Sequence, residues 1–227
     1  MQTLQKLRDS IQLITFDCYG TLIDWNQGIS GAFEQLKWTE LRPREELLEA
    51  YHRQEAAVEQ TSYRTYRQVQ TAVLKALAGM FQLPLEADSA EALSASLPSW
   101  PPFEDTNHAL RRLRTRYKLG ILSNIDRDLF EKTSRHFDVT FDLVVTAQDA
   151  HAYKPAHSHF MQMNEFARQL DGACLHAAQS IYHDARPTAQ LGIPFVWINR
   201  YNDPAPDGVP MLAEFKKLAE LADALGV

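Results

Sequence analysis

From Asp105 to the end of this 227-residue chain, short apolar runs alternate with amphipathic stretches, and that alternation constrains the fold most tightly. Residues 119–122, 141–145, 175–178 and 195–198 are four- or five-residue apolar runs, too short for helices. Residues 105–116, 126–136, 157–170 and 185–191 carry helical spacing between them, and 211–225 closes the chain as an amphipathic helix. Strands separated by helices cannot pair as hairpins. They pair in parallel, with helices on both faces. The fold class is therefore α/β with a parallel sheet core.

A fifth strand comes first, at residues 11–16 (Ile-Gln-Leu-Ile-Thr-Phe), behind a short helical or irregular lead-in. Its near-continuous apolar character suits a strand covered on both faces. The pattern then changes for about seventy residues. Ile29, Ala32, Phe33 and Leu36 recur at helical spacing. Pro43 opens a second helix, with Glu45 and Glu46 in its first turn and Leu47, Leu48, Tyr51 and Ala57 carrying it towards Gln60. A third spans 65–81 with Val69, Ala72, Val73, Ala76 and Leu77, and a fourth spans 88–97. Ser99-Trp100-Pro101-Pro102-Phe103 then stops the helical run. The expected organisation is a core of residues 1–24 and 99–227, with 25–98 inserted as a helical unit above the C-terminal edge of the sheet.

Net charge is −6, and no basic run occurs, so nothing points to nucleic acid. Two cysteines, Cys18 and Cys174, both in apparent strand contexts, make no disulfide framework. No apolar run spans a bilayer and the first ten residues are polar and charged, which makes the cytoplasm the default expectation.

Asp17 stands at the C-terminal end of the first strand, where ligands bind in open α/β sheets. Gly20 lets the backbone leave sharply and Thr21 hydrogen-bonds within the turn. Asp17 reads either as a turn former or as a nucleophile. A nucleophilic carboxylate must be ionised and poorly hydrated, and Lys154, before Pro155, is the natural ammonium partner. Ser123 and Asn124 end another strand and serve as an anion seat, a helix N-cap, or both. Asp184, in Tyr182-His183-Asp184-Ala185, is another N-cap, or it orients water, supports Lys154 or ligates a metal.

Four motifs in order carry a resemblance. Asp17-Cys-Tyr19-Gly20-Thr21-Leu22, Leu122-Ser123-Asn124, Tyr153-Lys154-Pro155, and His183-Asp184 before Leu191-Gly192 resemble the four motifs of the haloacid dehalogenase superfamily. The branch that looks nearest is the L-2-haloacid dehalogenase type, which residues 195–200 (Phe-Val-Trp-Ile-Asn-Arg) also suit. The resemblance implies a Rossmann-like core with a helical cap, Asp17, Lys154 and Asp184 as catalytic residues, and Tyr19, Thr21, Ser123 and Asn124 around the substrate. Phosphatases of the superfamily carry an acid two residues after the nucleophile, which protonates the leaving alkoxide. Here that position is Tyr19, as in the dehalogenases, whose halide leaves without a proton. Gln179 replaces the carboxylate that the phosphatases carry five residues before Asp184, which weakens a magnesium site. Dehalogenases favour Ser at Gln179 and Asn at Ile181, so the water-positioning apparatus departs from theirs too.

In that branch a cap arginine holds the departing halide. His52 and Arg53 lie nearest that position, with Arg64 and Arg67 as further candidates. Trp25, Tyr63, Tyr182 and His183 are expected to dry the site. The resulting expectation is hydrolytic dehalogenation of a short 2-haloalkanoate with no metal or organic cofactor. A magnesium-dependent phosphatase and a catalytically idle binding module are the alternatives. The partner is a small molecule, with no nucleic acid and no membrane, and the resemblance also allows a homodimer.

Overall fold

The computed structural model describes residues 2–227. The chain begins with α1 (Gln2–Leu7), β1 (Ile11–Phe16), α2 (Trp25–Gln35), α3 (Arg44–Glu59), α4 (Tyr66–Phe81) and α5 (Ala92–Ser96). It continues with α6 (Thr106–Arg114), β2 (Lys118–Ser123), α7 (Arg127–Thr133), β3 (Leu143–Thr146), α8 (Ala147–Ala150) and α9 (Ser158–Ala167). β4 (Ala173–Ala178), α10 (Arg186–Leu191), β5 (Phe195–Ile198), β6 (Ala213–Phe215) and α11 (Leu218–Leu225) complete it.

The six strands form one parallel sheet in the order β3-β2-β1-β4-β5-β6. β1 lies between β2 and β4, with Ile14 opposite Leu119 on one side and Leu175 on the other. Chain order reverses at β1, so a crevice opens at the C-terminal ends of β1, β2 and β4. Alternate residues of β1 serve opposite faces. Leu13 packs with Leu122, Val145, Phe160 and Met163 beneath α9. Ile14 and Phe16 join the larger core with Leu110, Leu113, Leu221 and Leu225 from α6 and α11.

The segment between β1 and α6 holds only helices and loops. It leaves and rejoins the sheet through two extended stretches lying side by side. Ile23 bridges Pro102 in antiparallel fashion, the Asp24 N–H donates to the Pro101 carbonyl (2.8 Å), and the Phe103 N–H donates to the Leu22 carbonyl (3.0 Å). Trp100 locks the junction by lying on Gly28 of α2. A Cβ at Gly28 would sit 2.2 Å from the indole, so only glycine permits this approach. Asp24 caps α2, and Thr65 and Gln68 form a capping box at the start of α4.

The sequence reading needs correction in several places. Residues 211–217 are not helical: Ala213–Phe215 adds a sixth strand at the sheet edge, paired with β5, and the last helix starts only at Leu218. The backbone groups of β5 impose that pairing on a segment whose spacing also fits a helix. Residues 88–97 do not form one helix: a 3-10 stretch (Ala87–Glu91) precedes α5, and a second one (Leu97–Ser99), holding Pro98, follows it. The turn at Ile181–Ala185 is one π-helical turn ahead of α10, and the short α8 went unforeseen. Cys174 lies in β4, but Cys18 sits beyond the end of β1, buried in the loop.

Candidate active site

The loops at the C-terminal ends of β1, β2 and β4, with the stretch that follows β3 and α8, bring the four motif stretches together around one ammonium group. Lys154 Nζ donates to Asp17 Oδ1 (3.0 Å), Asp184 Oδ1 (2.7 Å) and the Leu122 carbonyl (2.8 Å), which uses all three of its protons. Side-chain exposure separates the members: Asp17 is 11% open, Lys154 1% and Asp184 0%. Only Asp17 can meet a substrate. It forms the floor of a cavity of about 160 Å³ with Tyr19, Ser123, Asn124, Lys154, Gln179 and Ser180, while Trp25, His52, Glu55, Glu59 and Tyr66 enclose it from the helical segment. That volume suits a molecule of a few heavy atoms.

Burial alone would lower the Lys154 pKa. The two carboxylates outweigh that cost and hold the ammonium above its ordinary range. Asp184 resists burial through Lys154 and His176 and is held down at about 2. Behind it stands a buried relay: His176 Nε2 meets Asp184 Oδ1 (2.9 Å) and Nδ1 meets Thr15 Oγ1 (2.9 Å). Asp17 moves the other way. Burial and the Asp184 charge outweigh Lys154 and lift its carboxyl above the usual range. The open carboxylate is therefore the more basic of the two.

An open carboxylate just past the first strand, an ammonium bridging it to a second acid, and a helical insertion over both are now in place, and a family model covering residues 11–176 matches with the description haloacid dehalogenase-like hydrolase. The chain belongs to that hydrolase family. It is 27% identical over 212 residues to an (S)-2-haloacid dehalogenase of Pseudomonas putida, spanning 85% of this chain and 86% of that one. A second (S)-2-haloacid dehalogenase, from Pseudomonas sp. strain YL, is 28% identical over 202 residues, covering 85% and 84%. Among solved structures, a dehalogenase captured as an intermediate complex superposes with a TM-score of 0.83 at 19% identity over 96% of this chain and 98% of that one. That likeness speaks for the fold.

The structure treats the other expected residues unevenly. Ser123 Oγ is buried at the cavity wall with no hydrogen-bond partner among the described residues, so it is free for a ligand. Asn124 is not free. Its amide donates to Glu59 Oε2 (3.2 Å) and the Lys154 carbonyl (3.1 Å), and its oxygen accepts the Lys154 N–H (2.7 Å). Thr21 does not line the cavity. It donates to Asp17 Oδ2 (3.0 Å) and accepts the Gln179 N–H (3.0 Å), positioning the carboxylate from behind. The amides of Gly20 and Thr21 are spent on the carbonyls of Ile23 (2.8 Å) and Cys18 (3.4 Å), so they make no anion seat. The Tyr19 phenol reaches away to Thr133 (2.8 Å).

The arginine candidates fail. Arg53 is exposed and pairs with Glu49 on the outer face of α3. Arg67 pairs with Asp126 and Asp128, and Arg64 bonds Thr61. Helical spacing explains this: His52 faces in, so its neighbour Arg53 faces out. His52 carries no charge, because burial pushes its pKa down to about 4, and its Nε2 lies 3.0 Å from Asn26 Oδ1. Trp25 and His183 line the cavity as expected, whereas Tyr63 and Tyr182 line a neighbouring one.

Sequence reasoning passed over Glu55, Glu59, Tyr66 and His176. Glu55 is buried, receiving the hydroxyls of Tyr51 and Tyr66 on Oε1, both at 2.7 Å. Glu59 lies 3.4 Å from His183 Nε2, and that contact lifts the imidazole above its ordinary pKa although burial opposes it. A signal existed: Tyr51, Glu55 and Glu59 recur at four-residue steps, which puts two acids on the apolar face of an amphipathic helix.

Proposed function

We propose that this hydrolase is a 2-haloacid dehalogenase. Asp17 attacks C2 of a short 2-haloalkanoate in line with the carbon–halogen bond. Halide leaves with the bonding electron pair, C2 inverts, and an aspartyl ester forms. Water then hydrolyses the ester at its carbonyl, restoring Asp17 and releasing a 2-hydroxy acid. Lys154 keeps Asp17 ionised in a dry site, and Asp184 fixes Lys154. Ser123 Oγ donates to the substrate carboxylate, and the 25–98 segment acts as the cap that excludes water. Turnover needs no added metal.

The observation that carries this reading is Asp17 as the open member of its triad while the Tyr19 phenol is engaged by Thr133. A phosphoester needs an acid beside the nucleophile; a halide does not. The haloacid dehalogenase names of the relatives support the same substrate class. The test is halide release from 2-chloropropionate and bromoacetate with and without EDTA. Release insensitive to EDTA is expected. Magnesium-dependent phosphate release from small phosphoesters, with no halide release, would replace this reading with a phosphatase.

A further inference from the structure

The roof of the cavity holds a carboxyl group that the scheme above does not use. Glu55 is 4% exposed and no cation touches it. The groups around it are Tyr51 and Glu59 on its own helix, Tyr66 from α4 and His183 from the turn after β4. Both tyrosine hydroxyls donate to Oε1, and Oε2 has no partner among the described residues. A buried carboxylate without a cation is costly, whereas a carboxylic acid in the same place is not. Burial and the neighbouring Glu59 charge accordingly push Glu55 up to about 8, although the tyrosine hydroxyls oppose the shift.

Resting on the dehalogenase reading, we propose that Glu55, with one oxygen held by Tyr51 and Tyr66 and the other free at the cavity roof, is a hydrogen-bond donor to the departing halide and lets the site cleave carbon–fluorine bonds. Bromide and chloride leave as stable anions and gain little from a proton. Fluoride is the halide that binds a proton and the strongest hydrogen-bond acceptor among them. A cavity with no arginine and a protonated carboxyl suits it. In the first step Asp17 bonds to C2, the C–F pair passes to fluorine, and Glu55 donates a hydrogen bond to the departing fluoride while keeping its own proton. In the second, water hydrolyses the aspartyl ester and its surplus proton passes to solvent. The sum is fluoroacid plus water giving hydroxy acid, fluoride and a proton.

The experiment compares fluoride release from fluoroacetate with bromide release from bromoacetate between pH 6 and 9.5, using the full chain. The wild type is expected to release both, with the fluoride rate falling above pH about 8 as Glu55 ionises, and bromide not following it. Glu55→Leu should lower the fluoride-to-bromide ratio by about a hundredfold, whereas Glu55→Gln keeps a donor that cannot ionise and should lose the alkaline limb. Tyr66→Phe removes a donor that favours the ionised form, so it should move the alkaline limb of fluoride release to higher pH, a response that damaged packing does not produce. An unchanged ratio in Glu55→Leu, or a wild-type fluoride rate flat across this range, overturns the proposal. Bromide release without fluoride release sinks the donor role alone; release of neither halide sinks the dehalogenase reading with it.

Discussion

Floor and roof of the cavity bury carboxyl groups by opposite means. On the floor, Asp17 and Asp184 share the Lys154 ammonium, and both contacts are 3.0 Å or shorter. On the roof, Glu55 has only tyrosine hydroxyls, and burial lifts it to about 8. Pairing with an ammonium favours the ionised form against burial, which suits the nucleophile proposed at Asp17. The lack of a paired cation favours the protonated form, which suits the donor proposed at Glu55.

Breaking the floor should give the largest effect. Lys154→Met fills the same volume but leaves two buried carboxylates uncompensated. Halide release should drop below detection, and urea unfolding should show a loss of about 3–5 kcal/mol. Retained turnover in a folded Lys154→Met protein would show that the ammonium does not control Asp17.

The roof answers to pH instead. In the folded state Glu55 keeps its proton up to about pH 8, while the unfolded chain sheds it near its ordinary value of 4.5. Between those values the folded state binds more protons, so this group's contribution is greatest below pH 4.5 and is lost as pH climbs to about 8. Glu55→Gln cannot titrate. Its stability at pH 8 should exceed that of the wild type, with the gap closing at acid pH, as read by urea titrations at several pH values. A constant gap across the window would mean that Glu55 is ionised throughout. The smallest effect is expected outside the cavity: Arg53→Ala should leave KM for a haloacid within about twofold and stability within about 0.5 kcal/mol. A large rise in KM would restore Arg53 to the site.

Part of the floor was legible because Asp17 and Ser123 stand where strands end. A strand end is marked by an apolar run stopping at a polar residue, and the parallel topology brings such ends together. Lys154 lies beyond α8 and Asp184 in the turn after β4, so these two were legible only through the motifs Tyr153-Lys154-Pro155 and His183-Asp184. The roof was less legible. Which of His52 and Arg53 faces inward depends on a helix phase that one residue decides, and the arginine's charge drew attention to the wrong side. Glu55 looked like an ordinary surface acid until Tyr51 and Tyr66 closed on it from two helices. Asn124 lines the cavity and Thr21 stands behind Asp17, but their hydrogen bonds are committed to Glu59, Lys154 and Asp17, and no motif shows that. The β6 strand was missed because pairing at a sheet edge depends on the neighbouring strand rather than on residues 213–215 themselves.

The account rests on Asp17 forming an ester, and one experiment addresses that step. Protein in excess over 2-chloropropionate is taken through a single turnover in heavy-oxygen water, and the product and the peptide containing Asp17 are weighed by mass spectrometry. Hydrolysis at the ester carbonyl should leave the label in the Asp17 side chain and unlabelled oxygen in the hydroxy acid. Label in the hydroxy acid with an unlabelled Asp17 would mean that water attacks C2 directly, and the nucleophile assigned here would be wrong.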